Sequence, residues 1–107
     1  MAGIDPETHK VVLAAIQQKR QIRFVFDGKE RIVEPHDYGV QNGMIRLLAW
    51  QTGGQSSGPI PGWRWFDVER ISVITLLERT FPGNRPAPSG RHHQWNALYA
   101  RVSPASE

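Results

Sequence analysis

The chain has 107 residues, of which 39% are hydrophobic and 21% charged, and its formal charge is +3. That describes one small globular domain, able to bury about two-thirds of its unfolded surface, and not a disordered or fibrous chain. Cysteine is absent, which excludes a disulfide scaffold, a thiolate metal site and a cysteine nucleophile.

A small domain without disulfides is expected in a reducing, cytoplasmic setting. No apolar run approaches the ~20 residues of a membrane span. The opening MAGIDPETHK has no apolar core of a signal peptide. Ten of the thirteen basic residues are Arg. Arginine holds planar anions such as phosphate and carboxylate, whereas lysine more often only solvates a surface.

Residues 5–19 read as a helix. Asp5 caps it, Pro6 suits the first turn, and Glu7 favours the positive end of the dipole. Val12, Leu13 and Ile16 form its apolar stripe. The pattern then becomes two-fold, with Ile22, Phe24 and Phe26 alternating against Gln21, Arg23 and Val25. Asp27-Gly28 marks a hairpin turn. The return strand starts at Glu30, and Pro35 and Gly39 predict a bend or bulge within 30–41. Asn42-Gly43 marks a second hairpin, and 44–50 is the third strand.

Residues 53–62 hold four Gly, two Ser and two Pro and read as a surface loop. Trp63 to Asp67 is a fourth strand, 67–70 a short helical turn, and Ser72 to Arg79 a fifth strand. One helix followed by five short strands predicts a mainly β fold, a small closed or nearly closed barrel over residues 1–83. Residues 82–91 read as a linker. Residues 92–102 read as a second helix, because Trp95, Leu98, Tyr99 and Val102 share one face at helical spacing. Those four side chains are expected to be buried, on the barrel or on a neighbouring chain.

Little in the chain points to catalysis. There is no nucleophile elbow, no phosphate loop before a helix and no metal-ligand spacing, so neither enzyme activity nor a cofactor is expected. His92 and His93 are adjacent and would diverge on a helix, and His9 reads as a surface residue. His36, within Glu34-Pro35-His36-Asp37, has carboxylates beside it but no nucleophile or electrophile partner. Trp63-Arg64-Trp65-Phe66 is the densest aromatic run. Alternation places Arg64 and Phe66 on one strand face, with Trp63, Trp65 and Asp67 on the other. Arg64 next to an aromatic ring can hold a phosphate while the ring stacks a base. Arg23, Arg46 and Arg70 are candidates to join it in a basic cluster.

These segments, in order, resemble a WYL domain. AIQQKRQIRFVFDG is similar to the family's opening helix and strand, and RIVEPHDYG to its Arg-x-Ile-Glu-Pro segment. NGMIRLLAW falls where the family carries its Trp-Tyr-Leu signature, and RWFDVERI is similar to its closing Arg-x-Phe-x-x-Asp-Arg-Ile run. The likeness spans about residues 12–83. The signature is degenerate: Ile45 and Arg46 stand for Trp and Tyr, and only Leu47 remains. Asp67 replaces a usual arginine.

The resemblance implies an SH3/Sm-like barrel that senses a ligand, often a nucleotide or nucleic acid, in bacterial transcription regulation. It implies a ligand face formed by Arg64, Phe66 and Arg70, with His36 at a variable position and Arg46 in place of the stacking tyrosine. The expected function is therefore a regulatory module that binds an anionic ligand, such as single-stranded nucleic acid or a nucleotide. The alternative is a protein-interaction or oligomerisation module, with a second copy or a regulator protein as partner, since Sm-like barrels associate through strand edges.

Overall fold

A computed structural model describes residues 5–55, 58, 60–83 and 95–102. Helix α1 spans Pro6–Gln18. The Asp5 carboxylate accepts a hydrogen bond from the Thr8 backbone N–H at 3.1 Å. Lys19 adopts the left-handed conformation that ends the helix. Six strands follow among the described residues: β1 Arg20–Phe26, β2 Lys29–Gln41, β3 Met44–Gly54, β4 Gly62–Asp67, β5 Ser72–Thr80 and β6 Ala97–Arg101. A 3-10 turn, Val68–Arg70, joins β4 to β5.

Both predicted hairpins are present. Asp27, Gly28, Asn42 and Gly43 all have φ between 53° and 76°, the twist a two-residue turn needs between right-twisted strands. Every pairing is antiparallel, and the order is β4-β3-β2-β1-β5. β2 pairs with β3 from Arg31 to Gln41. Its other edge is divided: residues 29–33 pair with β1 and residues 37–40 with β6. Pro35 lies between these two stretches, where the missing N–H costs no ladder bond. The predicted bulge falls there, between Pro35 and Asp37.

Two expectations are corrected. The sheet is not a closed five-stranded barrel. β4 and β5 are its two ends, and no ladder joins them among the described residues. The 3-10 turn carries the chain from one end toward the other with Val68 buried, so that end of the core is covered by a turn and not by strand pairing.

The C-terminal segment is a strand and not a helix over its described residues 95–102. Eleven residues make a marginal helix in water, whereas β2 offers a free edge for backbone bonding. Asn96 N–H donates to the Val40 carbonyl and Val102 N–H to the His36 carbonyl, each at 2.8 Å. Gly39 makes this docking possible: a β-carbon there would lie 2.2 Å from the Ala97 carbonyl oxygen. A register shift after Tyr38 lies within this pairing, and burial of all four side chains on this sheet is not seen. Val102 is buried and Trp95 half-buried, but Leu98 and Tyr99 are 41% and 44% exposed. The His92-His93 pair and most of the predicted linker lie outside the described residues.

The core is one cluster on the inner face of the sheet, closed by α1. Val12, Ala15 and Ile16 of the helix meet Ile22, Phe24, Phe26, Val33, Tyr38, Leu47, Ala49 and Phe66. Phe24 and Phe26 each meet the Phe66 ring edge-on, at 4.9 and 5.1 Å. Among the described residues no helix is long and apolar enough to cross a membrane.

Candidate anion-binding site

The sequence pattern of β4 is realised in its side chains. Phe66 opposes Leu47 and Arg64 opposes Ala49 on the inner face. Trp63, Trp65 and Asp67 oppose Trp50, Leu48 and Arg46 on the other. The five predicted site residues consequently do not converge. Phe66 is fully buried in the core. His36 is buried too. Its Nδ1–H donates to the Glu34 carbonyl at 2.8 Å, and its ring sits between Trp63 and Phe81.

Arg46 and Arg70 are brought together, but by a carboxylate. Arg46 Nε lies 3.4 Å from one Asp67 oxygen and Arg70 Nη1 lies 3.9 Å from the other. Arg70 also pairs with Asp27. Each guanidinium covers an aromatic ring, Arg46 over Trp65 at 5.1 Å and Arg70 over Phe26 at 4.8 Å. Arg23 faces Glu30 at 4.0 Å, and Arg101 faces Asp37 at 3.0 Å. Of the predicted basic cluster, Arg23, Arg46 and Arg70 thus each face a carboxylate of the protein.

Arg31, the first residue of the segment likened to Arg-x-Ile-Glu-Pro, is placed differently. β2 places Arg31 opposite Phe24 on β1, at the open end of the inner face. Its side chain is inside: the residue is 7% exposed. Phe26 and Phe66 hold the guanidinium at 5.6 and 5.7 Å from their ring centres. Nη1 donates to Gln51 Oε1 at 3.3 Å and Nη2 to the Phe26 carbonyl at 3.4 Å, while the buried Nε has no hydrogen-bond partner among the described residues. No carboxylate pairs with it among the described residues. Burial, and next the charge of nearby Arg64, push its pKa below the ordinary guanidinium value. Desolvation and a like charge both disfavour the cation.

Arg64 lies on the same inner face. Its Nη1 donates to the Trp63 carbonyl at 2.8 Å, and Gly58 passes so near that a β-carbon there would sit 3.0 Å from Nη2. Gln51 completes the centre. Its fully buried amide donates to the carbonyls of Gly53 and Gln55, both at 3.0 Å, which turns its own carbonyl oxygen to Arg31. One feature could have drawn attention to Arg31: it lies two residues before core-facing Val33, an arginine in phase with an apolar face. A bulge between Ile32 and Val33 weakens that inference from spacing alone.

Among the described residues no three His, Cys, Asp or Glu side chains are grouped to hold a metal. No family model, curated protein or solved structure matches the chain.

Proposed function

We propose that this chain is a non-enzymatic, regulatory binding module for an anionic ligand, and that the anion is held by Arg31 and Arg64 and not by Arg46 and Arg70. One observation carries the reading: Arg31 is a buried cation with an unpartnered donor, beside a second cation and with no described carboxylate. Burying an unpaired charge is costly, and an incoming anion would remove that cost. The likeness of residues 12–83 to WYL domains supports the same class of function, with a nucleotide or single-stranded nucleic acid as the family's kind of ligand.

Fluorescence anisotropy of a labelled single-stranded oligonucleotide, with nucleotides and small anions as competitors, tests it at two salt concentrations. The expected result is displacement by at least one anion class and weaker binding at higher salt. A chain that binds no anion at low salt is not such a module.

A second reading has its own observation. Among the described residues β5 has only β1 as a ladder neighbour, and Val73 on it is 76% exposed. An open strand edge is a template for another strand. An interaction module would show concentration-dependent association in sedimentation velocity that persists at high salt.

A further inference from the structure

We infer that the Arg31–Arg64 centre takes a compact oxyanion, a single phosphate or carboxylate head entering end-on, and not a nucleic-acid strand laid along the sheet. The inference rests on the anion-binding reading above and narrows it to a ligand class.

Three features set the size and shape of the ligand. The first is the way Arg31 is enclosed. Phe26 and Phe66 lie against the guanidinium, and Nη1 and Nη2 each give one hydrogen bond to the protein. Nε, in the plane of the group, has no hydrogen-bond partner among the described residues, and Nη1 and Nη2 each keep a second N–H. An acceptor must therefore come in edge-on, as one oxygen of a phosphate or carboxylate does. Arg64, less buried than Arg31, supplies the second positive charge on the same inner face.

The second feature is the lack of a ring on which a base could stack at this centre. Phe66 is buried, and its ring is met by Phe24, Phe26 and Arg31. The Phe26 ring is met by Phe66, Arg31 and Arg70. Single-strand binding draws on free aromatic faces, and these two rings are already packed.

The third is the neutralised surroundings. A strand presents a row of phosphates and needs a row of cations to match. Arg23, Arg46 and Arg70 each face a carboxylate of the protein.

The test is isothermal titration with three probes, inorganic phosphate, acetate and a short thymidine oligonucleotide, into the full chain and two variants. Arg31→Met fills the same space without charge and removes the unpaired buried donor, so folding is expected to be retained. Arg64→Gln changes a partly exposed side chain and gives a second readout should Arg31→Met fail to fold. Phosphate or acetate, whichever the centre takes, should bind the native chain and weaken about tenfold or more in either variant, as loss of a charged hydrogen bond requires. The two small anions separate a phosphate head from a carboxylate head. If the oligonucleotide binds and neither small anion does, the compact-head inference fails while the anion-binding reading stands. If small-anion binding is unchanged in both folded variants, the centre is wrong. If nothing binds, both readings fail together.

Discussion

The inner face of the sheet and its rim use arginine in opposite ways. At the rim, Arg46, Asp67, Arg70 and Asp27 alternate in sign, and their side chains are 21% to 55% exposed. Water and neighbouring charge share the solvation of each group, and such pairs contribute little to stability. On the inner face, Arg31 is shut in by two phenylalanines with a donor unmet. Charge that is cheap at the rim is expensive a few residues away. The difference teaches where to look for a ligand: Arg46 and Arg70, which stand out in the sequence, already face carboxylates, whereas Arg31, with no carboxylate among the described residues, is hidden by the core.

The largest effect expected from breaking this contrast comes from Phe66→Ala. The ring lies at the centre of the phenylalanine cluster and forms one wall of the Arg31 enclosure. Its removal leaves a cavity and opens the guanidinium to water. Large-to-small changes of this kind cost about 3–5 kcal/mol, so urea denaturation should show a severe loss. A loss under about 1 kcal/mol would mean that the inner face is not the packed core described above.

A smaller effect comes from Tyr38, a second polar group on the inner face. It is fully buried, its hydroxyl oxygen lies 2.7 Å from His9 Nδ1, and its ring meets Tyr99. Burial first, and Tyr99 next, raise the phenol well above its ordinary 10.0. Above pH 10.0 the unfolded chain releases this proton while the folded chain keeps it, so stability is full below that pH and falls as pH rises further. The slope from one such group is at most about 1.4 kcal/mol per pH unit. Tyr38→Phe should cost about 1 kcal/mol at neutral pH through the lost hydrogen bond and should flatten the alkaline decline. Denaturation curves from pH 8 to 11, a range set by the ordinary tyrosine value, check this. An unchanged alkaline slope in the variant would show that the decline comes from other groups.

How legible these regions are in the sequence depends on the range of the interactions that form them. Asp27-Gly28 and Asn42-Gly43 determine their hairpins locally, by backbone conformation, and Pro35 marks the place where β2 changes partner. Alternation along β4 correctly separates Arg64 and Phe66 from Trp65 and Asp67. What alternation cannot say is which strand lies opposite. The pairing of Arg46 with Asp67 is set by the register of β3 on β4 across the 55–61 connection, and that register turns a predicted phosphate contact into an internal ion pair.

The end of the chain fails for a related reason. Leu98, Ala100 and Val102 fit a two-residue period as well as Trp95, Leu98, Tyr99 and Val102 fit a helical one. Only the free edge of β2 and the missing β-carbon of Gly39 decide between them. The burial of Arg31 is the least legible feature. It needs β1, β3 and the Phe66 ring from β4 all in place.

The smallest expected effect is at the rim, and it sharpens the contrast most directly. Asp67→Asn keeps the shape of the side chain and removes the charge shared by Arg46 and Arg70. The two arginines would then face each other with only Asp27 left to one of them. One part of the rim is not wet: Arg46 Nε and Asp67 Oδ1 are both inaccessible, and they approach to 3.4 Å without hydrogen-bond geometry. The loss should therefore lie toward the upper end of the 0.2–1 kcal/mol typical of exposed pairs, roughly 1 kcal/mol. Arg70 is more than half exposed, so added salt should screen the repulsion between the two arginines and shrink the difference between native and variant chains. Urea denaturation of both at low and high sodium chloride checks size and salt response together. A loss above about 2 kcal/mol that salt leaves unchanged would place Asp67 with the buried charges, and the rim would then share the electrostatics of the inner face.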